Sequence, residues 1–72
     1  MDTEFESTIA EIIRLIEKTG LDPYSQLFGY VTTGKIEYIT RNGDARNKIR
    51  TLDLQKLKDH MEQMQNGKSN NS

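Results

Sequence analysis

Apolar residues recur at helical spacing near the start of the chain. One helical face, with i, i+3, i+4, i+7 spacing, is formed by Ile9, Ile12, Ile13 and Ile16. Phe5 extends this face backwards by one turn. Thr8 and Glu11 fit a capping box at the start of such a helix. Gly20 can take the left-handed conformation that ends one. The pattern therefore predicts a first helix over about 7–19.

A second helix is predicted to begin at Asp22-Pro23. Aspartate is a good N-cap, and a proline at the first helical position loses no hydrogen bond. Gly34 can close this helix after two β-branched threonines. Gly29 costs a helix about 1 kcal/mol relative to alanine, which indicates that a neighbouring helix approaches closely there. The apolar face of this helix is formed by Tyr24, Leu27, Phe28 and Val31.

Two structures are compatible with residues 36–50. Ile36, Tyr38 and Thr40 alternate with polar residues, and a good turn dipeptide follows at 42–43, which is typical of a β-hairpin. Alternatively, a short irregular turn leads into a third helix over about 44–51. The spacing favours this helix, whose apolar residues are Ala45, Ile49 and Leu52. We expect Asp44 to cap it and to pair with Lys48 at i, i+4.

A fourth helix is predicted over about 54–65, with Asp53 as its N-cap. Its apolar face is formed by Leu54, Leu57, Met61 and Met64. Residues 65–72 contain nothing to bury, and we expect a disordered tail. The chain is therefore predicted to be an all-α protein, a small bundle of about four helices in a single domain over 1–64.

The size of the chain predicts self-association. The protein has 72 residues, of which 33% are hydrophobic, so its core is thin. Cysteine is absent, which excludes disulfides and thiolate metal ligands. Domains of this size usually need an additional source of stability. We therefore expect the helical faces to close against a second copy, in an intertwined or face-to-face homodimer.

Charge is distributed unevenly, although the net charge is only −1. Residues 1–20 are acidic and residues 41–50 are basic. This polarity is compatible with solvated faces, or with an acidic surface that meets a basic one across an interface. The N-terminus lacks the features of a signal peptide, and no apolar run is long enough to span a bilayer. We expect a cytoplasmic protein without membrane insertion.

No catalytic, cofactor or metal constellation is visible in the sequence. His60 is the only histidine, and a lone histidine without cysteines does not make a zinc site. Arg46 and Arg50 would repel each other at i, i+4 on a helix. They indicate either a local ion pair, with Asp53 or Glu37, or a site for a phosphate or an acidic partner. A nucleic-acid-binding module that uses the basic 41–50 segment, and a structural dimerisation or adaptor protein, are alternatives.

The segment 22–50 resembles the IreB-like family of small bacterial regulatory phosphoproteins. It carries the pattern P-x-x-Q-x-x-G-Y-x-x-x-G-x-x-x-Y-I-x-x-x-x-D-A-R-N-x-I-R. The residues that match are Pro23, Gln26, Gly29, Tyr30, Gly34, Tyr38, Ile39, Asp44, Ala45, Arg46, Asn47, Ile49 and Arg50. The resemblance implies a compact helical homodimer without enzymatic activity, in which the motif residues form a characteristic surface or interface.

The resemblance also implies phosphorylation. It implies that this chain is similar to cytoplasmic proteins that are substrates of a transmembrane Ser/Thr kinase, and this kinase monitors the cell envelope. The family's phosphorylated threonines lie in its N-terminal arm. In this chain Thr3 is the best counterpart, and Ser7 and Thr8 come next. A Ser/Thr protein kinase is therefore the expected partner in addition to a second copy of the chain.

Overall fold

Four α-helices and one short 3₁₀-helix form the fold. The computed structural model describes the backbone of residues 3–69 and the side chains of residues 3–64. The helices are α1 (Thr3–Glu17), α2 (Pro23–Thr33), the 3₁₀-helix (Ile36–Tyr38), α3 (Ala45–Arg50) and α4 (Leu54–Ser69). The described residues include no β-strand. The prediction of an all-α bundle of about four helices is confirmed.

Helix α1 begins at Thr3, several residues earlier than predicted. The predicted capping box is wrong, because Thr8 lies inside the helix and its hydroxyl donates to the Glu4 carbonyl oxygen at 2.9 Å. The earlier start brings the side chain of Phe5 into the core. The helix ends at Glu17, and Gly20 follows with φ of 83°, as expected for a residue that reverses the chain direction.

Helix α2 has the predicted boundaries because both of its caps form. The Asp22 carboxylate accepts a hydrogen bond from the Tyr24 backbone N–H at 3.1 Å, and Pro23 occupies the first position. At the other end, Gly34 has φ of 74° and donates its N–H to the Tyr30 carbonyl oxygen at 2.7 Å. These contacts satisfy backbone groups that a helix end would otherwise leave unpaired.

Residues 35–44 form a 3₁₀ turn and an extended link in place of the β-hairpin. The buried residue of this segment is Ile39, which is 1% exposed, whereas Tyr38 is exposed. Helix α3 then forms close to its predicted position. Its predicted cap is wrong, since the Asp44 side chain makes no capping hydrogen bond. The predicted Asp44–Lys48 pair is also replaced, because the Lys48 ammonium lies 3.6 Å from the Glu11 carboxylate.

Asp53 caps α4 as predicted. One of its carboxylate oxygens accepts from the Gln55 N–H at 2.8 Å and from the Lys56 N–H at 3.3 Å. The helix continues through Ser69, beyond the predicted end near 65. Residues 70–72 lie outside the described part of the chain, as do the side chains from 65 onward. The disordered tail over 65–72 therefore stays a prediction.

The core lies between two helix pairs: α3 packs on α1, and α4 packs on α2. Helices α1 and α2 contact each other between these layers. One copy therefore covers most of the predicted apolar faces but leaves Tyr24, Leu54 and Met64 exposed, and the homodimer stays a prediction. The largest fully buried side chains come from all four helices and the link, and they are Ile12, Ile16, Leu27, Ile39, Ile49, Leu57 and Met61.

Candidate functional site

Most of the motif residues lie along the link between α2 and α3. The segment from Gly34 to Asp44, here called the 34–44 link, crosses α2 and returns the chain to α1. It is too short and too irregular for regular helical hydrogen bonds to satisfy all of its backbone groups. Side chains from α1, α2 and α3 hold it instead, and three of the contacts involve motif residues.

Gly29 provides room for the ring of Tyr38. A Cβ atom added to Gly29 would overlap Cδ1 of Tyr38 and lie 2.8 Å from its Cγ atom. Real Cβ atoms do not tolerate such distances, so the ring packs directly on the backbone of α2. Tyr38 as a whole remains 47% exposed. Gly29 was predicted to mark a close approach, and the approaching group is a side chain of the 34–44 link rather than a neighbouring helix.

Gln26 and Arg46 form two further contacts with the link. The Gln26 Oε1 atom accepts a hydrogen bond from the Thr40 backbone N–H at 2.9 Å. The Arg46 Nε–H donates to the Ile39 carbonyl oxygen at 2.8 Å. Both hydrogen bonds are partly buried, and a backbone group left unpaired there would cost about 1–3 kcal/mol. These two motif residues thus fix the link on α2 and α3.

The remaining motif residues have separate positions. Pro23 is buried at the start of α2, Tyr30 is half-buried, and Gly34 ends the helix. The Asp44 carbonyl oxygen accepts from the Lys48 N–H at 2.8 Å, so the backbone of Asp44 joins α3 although its side chain does not cap it. The use of these residues in an intermolecular interface stays a prediction.

Arg46 and Arg50 have different environments despite their i, i+4 spacing. The guanidinium of Arg46 is half-buried and bonded to the link, whereas Arg50 is exposed. Neither makes an ion pair with Asp53 or Glu37 among the described residues, so the predicted local ion pair is wrong. A role for Arg50 toward a phosphate or an acidic partner stays a prediction.

The candidate phosphorylation sites lie in the first turns of α1. Thr3 is exposed at the first residue of the helix, and Ser7 is exposed one turn later. Thr8 is half-buried, and its hydroxyl is engaged with the Glu4 carbonyl oxygen. The three hydroxyls therefore differ in accessibility, and Thr3 and Ser7 are the accessible ones.

A cleft of about 280 Å³ lies beside this end of α1. It is bordered on α1 by Thr8 and on the opposite side by Lys56 and the α3–α4 connection. Lys56 lies 4.7 Å from the ring centroid of Phe5, a cation–π contact. The His60 ring meets Phe5 edge-on, with centroids 5.7 Å apart. His60 is thus an aromatic contact of the core edge, a role that its sequence position did not indicate.

The described residues contain no constellation that would hold a metal ion. No group of three or more His, Cys, Asp or Glu side chains comes together in this part of the chain. None of the helices of the described region combines the length and apolar character needed to cross a bilayer.

A comparison with protein families supports the motif-based resemblance. The family model described as IreB regulatory phosphoprotein matches residues 1–65 of the chain. The match includes α1, with the candidate phosphorylation sites, as well as α2, the 34–44 link and α3. It covers more of the chain than the sequence motif does.

Proposed function

Because the chain belongs to the IreB regulatory phosphoprotein family, we propose that it is a non-enzymatic regulatory protein that a Ser/Thr protein kinase phosphorylates at Thr3. In this proposal the protein acts in the cytoplasm, the kinase is a transmembrane kinase, and the signal concerns the state of the cell envelope. The observation that carries the choice of residue is the exposed position of Thr3 at the start of α1.

Thr3 is the candidate hydroxyl that a kinase reaches with the least disturbance of the fold. Ser7 and Thr8 lie in the second turn of α1, and Phe5 is buried between them and Thr3. Unwinding the helix as far as Ser7 would remove Phe5 from the core, which costs about 3–5 kcal/mol for a fully lost aromatic side chain. Thr3 is the first residue of α1 and precedes Phe5, so access to it requires only the end of the helix to fray, and helix ends open most easily.

A phosphate on Thr3 would act on the helix that carries it. It adds close to two negative charges at the end of α1 where backbone N–H groups are unpaired. Negative charge at this position stabilises a helix by about 0.3–1 kcal/mol. The nearby Glu4 and Glu6 side chains oppose this effect. The modification would therefore change the charge of this surface while leaving the fold intact.

Phosphorylation with a bacterial Ser/Thr kinase domain tests the proposal. We expect the wild-type protein to accept one phosphate and Thr3→Ala to accept none, as measured by intact mass and peptide mapping. Thr32→Ala is a matched control, because Thr32 is also exposed and helical. Ser7→Ala and Thr8→Ala should accept phosphate like the wild type. A Thr3→Ala protein that is labelled as fully as the wild type would overturn the choice of Thr3.

A homodimer is part of the same proposal. Several large apolar side chains remain exposed in one copy, and a second copy packed on them would remove their apolar surface from water. They include Leu21, Tyr24, Tyr38 and Leu54. Analytical ultracentrifugation should give the mass of two chains at micromolar concentration, and Tyr24→Glu should shift the equilibrium toward the monomer. A wild-type protein that stays monomeric would contradict this part.

The nucleic-acid alternative gains no support from the basic segment. Arg46 is engaged with the Ile39 carbonyl, and Lys48 faces Glu11. These contacts leave fewer cations for phosphates than the sequence of 41–50 indicated. The absence of binding to single- and double-stranded oligonucleotides at low salt, where phosphate contacts are strongest, is the expected result.

A further inference from the structure

A small groove between α1 and α3 is bordered by three cationic side chains. Arg14 contributes from the last turn of α1, Lys18 from the position directly after α1, and Lys48 from α3. Leu15 and Glu11 complete its lining, and its volume is about 180 Å³. This volume lies below the range of about 300–1,000 Å³ that is typical of small-molecule pockets. The groove suits one or two side chains of a partner better than an enclosed small molecule.

Leu15 gives the groove a fixed apolar floor. Its backbone carbonyl accepts a hydrogen bond from the Asn42 side chain at 2.9 Å. A Cβ atom added to Gly43 would lie only 2.8 Å from one methyl group of Leu15. Gly43 also has φ of 57°, a conformation that favours glycine. The side chain is only partly buried. The 34–44 link therefore holds a half-exposed leucine in place between the cations.

The cations exceed the acids at this groove. Glu11 lies near Lys48, with a nitrogen–oxygen distance of 3.6 Å. Arg14 and Lys18 are exposed and form no ion pair with any described residue. Lys18 directly follows α1, and its N–H donates to the Arg14 carbonyl oxygen at 3.1 Å. The two side chains therefore keep the helical i, i+4 spacing, at which like charges destabilise by about 0.2–0.5 kcal/mol. An anionic group bound between them would relieve this repulsion.

We propose that the groove formed by Arg14, Leu15, Lys18 and Lys48 binds an acidic segment of a partner protein, with carboxylates on the cations and an apolar side chain on Leu15. The proposal goes beyond the regulatory function and does not depend on phosphorylation of Thr3, since the groove lies toward the opposite end of α1. It also differs from the surface around Arg50, which the sequence motif had indicated.

The charge pattern favours an acidic protein segment over a nucleic acid. A nucleic-acid backbone needs a continuous cationic track to release counterions over many phosphates. Here Glu11 interrupts the cations on one side, and Glu17 follows Arg14 by three residues. A peptide can place single carboxylates on single cations and avoid both glutamates. Its apolar side chain can use Leu15, which a phosphate backbone cannot.

A binding assay with the full, unphosphorylated chain tests this surface. The probe is a fluorescein-labelled peptide of repeated Glu-Glu-Leu triplets, and fluorescence anisotropy gives the Kd. We expect binding that weakens as salt rises. Reversing two charges in the variant Arg14→Glu/Lys18→Glu should weaken it by about tenfold or more. The matched control is Lys35→Glu/Lys58→Glu, which reverses two exposed cations elsewhere and should retain most of the affinity.

Two further comparisons separate the proposal from simpler explanations. The neutral variant Arg14→Gln/Lys18→Gln, checked by circular dichroism, should also bind weakly, so the test does not depend on the charge-reversed protein folding. A twin peptide with Gln in place of Glu should not bind. Equal binding of both peptides, or equal loss in the control variant, would overturn the proposal. Tighter binding of an oligonucleotide or of anionic lipid vesicles through Arg14 and Lys18 would overturn the assigned occupant.

Discussion

Replacing Gly29 by alanine isolates the contact between α2 and the ring of Tyr38. Alanine in a helix interior is better than glycine by about 1 kcal/mol, so in an open helix the substitution would stabilise. Here the new Cβ atom would overlap Cδ1 of Tyr38 and lie 2.9 Å from Cε1. The ring must therefore move outward, or the link must shift.

The two effects oppose each other, and their sizes predict the sign of the result. Overpacking of this kind costs about 1–3 kcal/mol, and we take about 2 because the ring is half-exposed and can partly swing away. The net change for Gly29→Ala is then a destabilisation of about 1 kcal/mol. In a Tyr38→Ala background the overlap is absent, so the same substitution should stabilise by about 1 kcal/mol.

Urea denaturation followed by circular dichroism measures both changes. With a slope of about 1 kcal/mol per molar urea for a small domain, the midpoint should fall by about 1 M in one background and rise by about 1 M in the other. The difference between backgrounds is a coupling energy of about 2 kcal/mol, within the range for residues in direct contact. If Gly29→Ala stabilises the wild-type chain, the Tyr38 ring does not pack on Gly29 and the reasoning is refuted.

Four other substitutions, one of them a control, are tested by the same urea assay. Arg46→Ala should destabilise by about 1.5–3 kcal/mol, because it leaves the Ile39 carbonyl without its charged donor. Arg50→Ala should change stability by less than about 0.5 kcal/mol, and an equal loss for both arginines would contradict the assigned contact. Gly34→Ala should cost about 1–2 kcal/mol, since Gly34 has φ of 74°, and a neutral result would argue against that conformation. Ile12→Ala should cost about 2–5 kcal/mol, a large part of the stability of so small a domain, and a loss below 1 kcal/mol would contradict its complete burial.

The start of a helix was predictable where the N-cap side chain accepts its hydrogen bonds from the first turn of that helix. Asp22 and Asp53 are such residues, and both carboxylates accept backbone N–H groups as expected. Thr8 misled the prediction because its hydroxyl has an alternative partner in the carbonyl of Glu4, one turn back. The prediction for Asp44 failed for a different reason. The backbone conformation at the start of α3 leaves the Asp44 carboxylate without a capping hydrogen bond.

The contacts that hold the link were beyond local pattern analysis. Period-two alternation placed Ile36, Tyr38 and Thr40 on one face, yet the residue that enters the core is Ile39. Its burial depends on a core cluster whose other members come from all four helices, and no nearby residue signals it. The motif resemblance did single out Gln26, Gly29 and Arg46, but only the structure shows that each acts on the link. The charge pairing of Lys48 with Glu11 joins α3 to α1 in the same way.

The long reach of the 34–44 link has a consequence for synthesis of the protein on the ribosome. Its hydrogen bonds join Thr40 to Gln26 and Asn42 to Leu15, across 14 and 27 residues of chain. The apolar sides of α1 and α2 thus emerge from the exit tunnel while the residues that will cover them are still inside it. The nascent chain is most prone to aggregation during this interval, which ends when α3 and α4 have left the tunnel.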